Sequence, residues 1–131
     1  MKRGIASVLV GLLVWAVAAT VINLVLRVVW PDYAAAEKLM TFSLGMLGAR
    51  LATGALASLC AGYAAAWIAK GTATPVKVLA VLVLLLFIPV HYGLWDKFPG
   101  WYHVAFLASL IPFTLLGAHW RAKATATPRS G

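Results

Sequence analysis

Apolar residues fall into four blocks separated by short polar stretches. The first runs from about Gly4 to Trp30, the second from about Thr41 to Ala69, the third from about Val76 to Leu94 and the fourth from about Trp101 to Trp120. A helix needs about 20 apolar residues to cross a hydrocarbon core of about 30 Å. Inside lipid, only helices and closed barrels satisfy every backbone N–H and C=O. Uninterrupted runs of this length are helices, since a strand would alternate. The pattern therefore predicts an all-α integral membrane bundle of four transmembrane helices over residues 1–120, followed by a basic, disordered tail over 121–131.

The breaks between blocks carry their own signals. Pro31 ends the first block, because proline disfavours helix at the residue before it. The stretch Pro31–Lys38 contains three alanines and predicts a short interfacial helix with Asp32 near its start. Lys70-Gly71-Thr72-Ala73-Thr74-Pro75 places glycine after a helix and proline beyond it, a common stop. Trp95–Gly100 is a tight connection. Met1-Lys2-Arg3 before an apolar run resembles a secretory signal, and Ala16-Val17-Ala18 offers small residues for cleavage. A signal core is about 7–15 residues long, whereas this run continues through Val21, Leu24 and Leu26. An uncleaved signal-anchor helix is expected.

Composition agrees with this layout. The chain is 63% hydrophobic and 11% charged, against roughly 25% charged for a soluble domain. The four spans leave no room for a soluble domain. The net charge of +8 does not point to nucleic acid as a partner, because the cations sit at the ends of apolar blocks rather than on a solvent-facing element. The implied partner is the lipid bilayer.

Charge also orients the bundle. Lys2, Arg3, Lys70, Lys77, Arg121, Lys123 and Arg129 flank one side, and Arg27, Lys38 and Lys97 the other. All three acids, Asp32, Glu37 and Asp96, lie on that second side. Positive charge collects on the cytoplasmic side, so both termini are expected in the cytoplasm (N-in/C-in). Trp30, Tyr33, Tyr92, Trp95, Trp101 and Tyr102 cluster at the outer boundary, and Trp67 and Trp120 at the inner one. Amphipathic rings favour both interfaces, so these residues are expected to be anchors rather than a binding cage.

Helices associate in lipid through close approach of small residues. In the second span Gly54, Ser58, Gly62 and Ala66 recur every four residues, flanked by the row Ala49, Thr53, Ala57, Ala61 and Ala65. This strip marks the second span as the centre of the bundle, facing either its own neighbours or a second copy. The third span is large and apolar all round, which suits a lipid-facing helix. Cys60, the sole cysteine, is expected to be a small buried hydrophobe. Pro89 and Pro112 deprive the carbonyls of Leu85 and Ala108 of their usual donors and predict kinks.

Few groups carry chemistry. Arg50 lies about ten residues into the second span, roughly 13 Å along the axis at 1.5 Å per residue. An arginine at the centre of a span costs about 2.5–3.5 kcal/mol. It shares the face of Gly54, Ser58 and Gly62 and points into the bundle. Expected partners are Asp32, Glu37, Asp96 and the amide of Asn23, with recognition of an anionic lipid or substrate as the other role. His91 and His103 flank the last connection, and antiparallel neighbours would bring them together with Asp96 between them. Such a group suits proton handling, a metal or a haem, but the spacing matches no ligand signature, so no metal or cofactor is expected. His119 lies at the opposite end.

There is no H-E-x-x-H, no G-x-S-x-G, no phosphate-binding glycine loop and no carboxylate inside any span, and no enzymatic activity is expected. Ala61-Gly62 with Ala65-Ala66, Ile88-Pro89, and Pro112 with Leu116-Gly117 resemble a recurring type of small four-helix bacterial inner-membrane protein, over about residues 5–120. The resemblance implies the topology and that membrane, and no particular activity. Two function classes follow. One is a protein acting by association in the bilayer, as a homo-oligomer or an accessory subunit, through the small-residue strip. The other is a small-solute or lipid-handling protein with an outward-facing pocket near Arg50, His91 and His103.

Overall fold

The computed structural model describes residues 2–70 and 72–125. It contains α1 (Lys2–Val29), α2 (Pro31–Leu39), α3 (Leu44–Ala69), α4 (Thr74–Gly93) and α5 (Gly100–Thr125), with a 3₁₀ turn over Trp95–Lys97 between the last two. The helices α1, α3, α4 and α5 are each long and apolar enough to cross a membrane. The chain is thus an all-α membrane bundle of four spans. α5 runs through residue 125, so 121–125 continue the helix rather than opening the expected tail. The rest of that tail, with Arg129, lies outside the described residues.

The expected short helix is α2. Pro31 occupies its first position, where a missing N–H is harmless, and Asp32 lies in its first turn. Met40 closes α2 in a left-handed conformation, φ 56°, a region that L side chains visit rarely. That turn folds α2 back over the end of the bundle. Ser43 then caps α3: its Oγ accepts from the Met46 N–H at 3.3 Å. α3 therefore begins at Leu44, three residues later than the apolar pattern predicts.

α3 is the central helix, packed between α1 and α5. Its small-residue strip is used within the chain. A Cβ at Gly62 would run into the backbone carbonyl of Thr114, one at Gly117 into that of Leu59, and one at Gly54 would sit 2.7 Å from the Phe106 ring. Ala57, Ala61 and Ala65 are fully buried. Ser58 Oγ donates to the Gly54 carbonyl at 2.8 Å and accepts from Trp15 Nε1 at 3.0 Å. Ser7 Oγ donates to the Ala65 carbonyl at 2.7 Å, tying α1 to α3. Such bonds hold where lipid offers no competing partner.

Two expectations are corrected here. Cys60 is exposed on the outer surface of α3 rather than buried, because the strip turns the opposite face inward. α4 is not lipid-facing all round: Val76, Leu79, Ala80 and Val83 enter the core while Val81, Leu85 and Leu86 face out. The most peripheral span is α1, which buries only Ser7 and Gly11. α4 and α5 stay helical through Pro89 and Pro112.

The ends of the bundle differ chemically. One carries Lys2, Arg3, Lys70, Lys77, His119 and Arg121; the other carries α2, the 3₁₀ turn and every acid, and each end carries two exposed tryptophans, Trp67 and Trp120 at the first and Trp95 and Trp101 at the second.

Candidate functional site

The most elaborate polar arrangement lies at the acidic end, around Arg50. Because α3 starts at Leu44, Arg50 sits about 9 Å from that end rather than 13 Å. Its Nε donates to the Tyr102 hydroxyl at 3.2 Å and its Nη1 to the Tyr33 hydroxyl at 3.1 Å. The guanidinium carbon lies 4.7 Å from the Phe42 ring centroid and 5.7 Å from that of Phe98. Aromatic faces attract a cation electrostatically, and the planar guanidinium is the cation that can stack while still donating.

This differs from the expected ion pair. Glu37 does approach Arg50, with Oε2 3.9 Å from Nη1, outside hydrogen-bond distance. Its close partner is Arg27, at 2.6 Å from Nε to Oε1. The Asn23 amide donates to Glu37 Oε2 at 2.9 Å and accepts from the Tyr33 hydroxyl at 2.8 Å. A chain therefore runs from Arg27 through Glu37, Asn23 and Tyr33 to Arg50 and Tyr102. Arg27, hydrogen-bonded to Glu37, holds that carboxyl below the usual carboxylate range; Asn23 and Arg50 add to this and partial burial opposes it. Asp32 and Asp96 are exposed and make no ion pair among the described residues.

Tyr33 and Tyr102 are not interfacial anchors as expected. They are 0% and 2% exposed, and their rings pack on Phe42 and Phe98. Tyr92, Trp95 and Trp101 do face outward. At the other end Trp67 is exposed but also sits under the Arg121 guanidinium, 4.9 Å from its ring centroid.

His91 and His103 come together as expected, Nδ1 to Nδ1 at 2.7 Å with the rings edge to face. Asp96 does not lie between them. His103 Nε2 instead meets the Trp95 carbonyl at 3.3 Å, and the Trp95 ring stacks on His103 at 4.6 Å. Among the described residues no group of three His, Cys, Asp or Glu side chains gathers as a metal would require. The pair lies behind Tyr102 and Phe106.

A cavity of about 250 Å³ opens beside Arg50, lined by Asn23, Tyr33, Glu37, Arg50, Tyr102 and Thr53, with Trp15, Phe87 and Phe106 as apolar walls. His91 and His103 do not line it, contrary to the expected pocket. It shares Trp15, Ala19, Thr20 and Phe87 with a groove of about 440 Å³ between α1 and α4. Leu86 and Val90 on the rim of that groove are about half exposed on the lipid-facing surface. The chamber beside Arg50 and the groove therefore adjoin along α1 and α4.

Of the expected packing residues, Gly54, Ser58, Gly62 and Ala66 all lie on inward faces of α3. Only Gly54 also borders the cavity. Sequence reasoning missed Arg27, Phe42 and Phe98 as parts of the site, and read the two tyrosines chiefly as anchors. Their one sequence signal is position, since all lie within a few residues of the span ends that meet at this side. The chain matches no protein-family model, no curated protein and no solved structure.

Proposed function

We propose that this chain is a lipid-handling membrane protein that binds an amphiphile with an anionic head, a carboxylate or a phosphate, in the chamber beside Arg50. The observation that carries this reading is the unspent hydrogen-bonding capacity there. Arg50 uses Nε and one N–H of Nη1 on the two phenols and leaves Nη2 without a partner among the described residues. Tyr102 accepts from Arg50 and its own O–H has no acceptor there. Two donors thus converge on a cavity, and the nearest carboxylate is already held by Arg27. An anion would accept from both. Charge-assisted bonds of this kind are the strong ones.

Size and shape favour an amphiphile over a free solute. The chamber is smaller than the roughly 300–1,000 Å³ of ordinary ligand pockets, so it takes a head group and no more. The adjoining groove is apolar and reaches the lipid-facing surface, where a chain would lie against Trp15 and Phe87. The small-residue strip, which motivated association with a second copy, is already covered by α1 and α5. The lysine and arginine distribution and the resemblance to small bacterial inner-membrane proteins support a setting in that membrane, with the basic end in the cytoplasm and the chamber opening toward the outer leaflet.

The test is equilibrium binding of radiolabelled dodecyl phosphate and dodecanoate to purified protein in a non-ionic detergent. Wild type should bind at least one of them and should not bind dodecyl alcohol. Arg50→Lys should weaken binding about tenfold or more, since hydrogen bonds to charged groups contribute about 1.5–3 kcal/mol. Ala19→Leu leaves the polar chain untouched and fills the groove, and should also block binding. Unchanged binding in both variants would overturn the reading.

A further inference from the structure

The basic end holds a second cavity, of about 740 Å³, where α3 ends, α4 begins and α5 leaves the bundle. Its mouth carries Lys70, Lys77, His119 and Arg121, and its inner wall is Ala66, Val76, Leu115 and Ala118. No acid lines it, because all three acidic residues of the chain lie at the opposite end. Lys70 and Lys77 make no ion pair among the described residues. Two of these residues have further contacts that position them: the backbone of Lys70 and the guanidinium of Arg121. Lys70 is the left-handed cap of α3, φ 49°, with its N–H bonded to the Ala66 carbonyl. The Arg121 guanidinium lies over Trp67, 4.9 Å from its ring centroid, and near Tyr63 at 5.8 Å.

On α3 and α5 the lining changes along the helix axis: Lys70 lies one helical turn beyond Ala66, and His119 one turn beyond Leu115, each about 6 Å farther out. Lys77 lies level with Val76 in the first turn of α4, where its exposed side chain can extend toward the surface. A basic notch between transmembrane helices at the membrane surface matches the charge of an acidic lipid head group, and the apolar wall beneath it matches an acyl chain. A soluble anion would use only the outer half.

We propose that this notch binds an anionic phospholipid of the adjacent leaflet, with its phosphate among Lys70, Lys77 and Arg121 and a chain against Val76, Leu115 and Ala118. The site is separate from the chamber at Arg50 and does not depend on it. It gives the protein a fixed lipid contact in the leaflet at its basic end.

Native mass spectrometry of the full chain, released from detergent after titration with dioleoyl phosphatidylglycerol, tests the proposal. Dioleoyl phosphatidylcholine and inorganic phosphate serve as the other probes. Wild type should retain one phosphatidylglycerol at concentrations where phosphatidylcholine leaves none, and millimolar phosphate should not displace it. Lys70→Gln and Lys77→Gln should each weaken binding about fivefold, and the pair about 30-fold, since a basic residue near an anionic surface contributes on the order of 1 kcal/mol. Both lysines are at the exposed edge of the fold, so the single variants keep the measurement available should the double variant lose its fold. Arg3→Gln removes a cation at the same end from a different groove and should bind as wild type, as should Ala19→Leu, which alters only the opposite site. Equal binding by wild type and the lysine variants, an equal loss with Arg3→Gln, equal retention of phosphatidylcholine, or displacement by inorganic phosphate would each overturn it.

Discussion

His91 on α4 and His103 on α5 share a hydrogen bond between their Nδ1 atoms at 2.7 Å, and neither ring is more than 5% exposed. The partners fix the direction of that bond. The Trp95 carbonyl can only accept, so His103 Nε2 carries a proton and its Nδ1, in the neutral ring, is the acceptor. His91 Nδ1–H is then the donor. Replacing His103 with Phe preserves bulk but leaves that N–H buried without an acceptor, at a cost of about 1–3 kcal/mol. The double replacement of both histidines with Phe should cost less than the sum of the two single ones, since it removes donor and acceptor together. Denaturation midpoints of the four proteins in one detergent check this; strict additivity would show that the bond contributes nothing.

Gly62 and Gly48 share a helix and should respond oppositely to alanine. At Gly62 a Cβ meets the Thr114 backbone, which cannot swing aside as a side chain can. Gly62→Ala should force α3 and α5 apart at a cost of about 1–3 kcal/mol. At Gly48 nothing lies within 4 Å of the added atom, and the change should be neutral or stabilising by up to about 1 kcal/mol, from helix propensity alone. Thermal melts of the two variants against wild type decide it, and loss of stability in both would contradict the assigned packing.

Glu37 makes the polar chain sensitive to acid. Its folded pKa is depressed, chiefly by the hydrogen bond from Arg27, so its contribution is complete above the unfolded value of about 4.3. It is lost as pH falls through the lower folded value. The Arg27–Glu37 side chains are 46% and 21% exposed, so solvent screens the pair and keeps the effect small. Wild type should melt higher than Glu37→Gln at pH 7, and the gap should close below about pH 4. A gap that widens on acidification would contradict the pairing.

Most of the fold was readable from the apolar blocks, because span length and charge segregation are properties of long stretches. The helix over 31–39 followed from Pro31 and its alanine run, and the meeting of His91 with His103 from the antiparallel packing of neighbours. The site was less readable. Tyr33 and Tyr102 have the composition of interfacial anchors, and the rotational phase of α2 and α5, which pattern does not specify, decides that they turn inward. The same uncertainty of phase put Cys60 inside when it faces out. Glu37 was expected beside Arg50, but the fold-back at Met40 carries it closer to Arg27. Asp96 was expected between the histidines, and the 3₁₀ turn points it away.

The orientation rests on charge segregation and has its own test. In a Cys60→Ser background, a cysteine at position 35 on α2 should react with a membrane-impermeant maleimide in intact cells, and one at position 73 only after permeabilisation. Cys60 must be removed first because it lies on the exposed surface of α3. The reverse labelling pattern would invert the topology and place the Arg50 chamber toward the cytoplasm.

The central claim is that Arg50 receives an anionic head group, and the distance between them is the most direct measure of it. Protein labelled with ¹⁵N-arginine can be reconstituted in a phosphorus-free glycolipid bilayer, loaded with dodecyl phosphate as the sole source of ³¹P, and examined by ¹⁵N–³¹P dipolar recoupling. A charge-assisted N–H···O bond of about 2.7–2.9 Å places phosphorus within roughly 4 Å of a guanidinium nitrogen. The expected result is dephasing of a guanidinium resonance that is present in wild type and missing in Arg50→Lys, and that is reduced in Ala19→Leu. Dephasing identical in wild type and Arg50→Lys, or none at all at concentrations where equilibrium binding shows the site saturated with dodecyl phosphate, would contradict the claim.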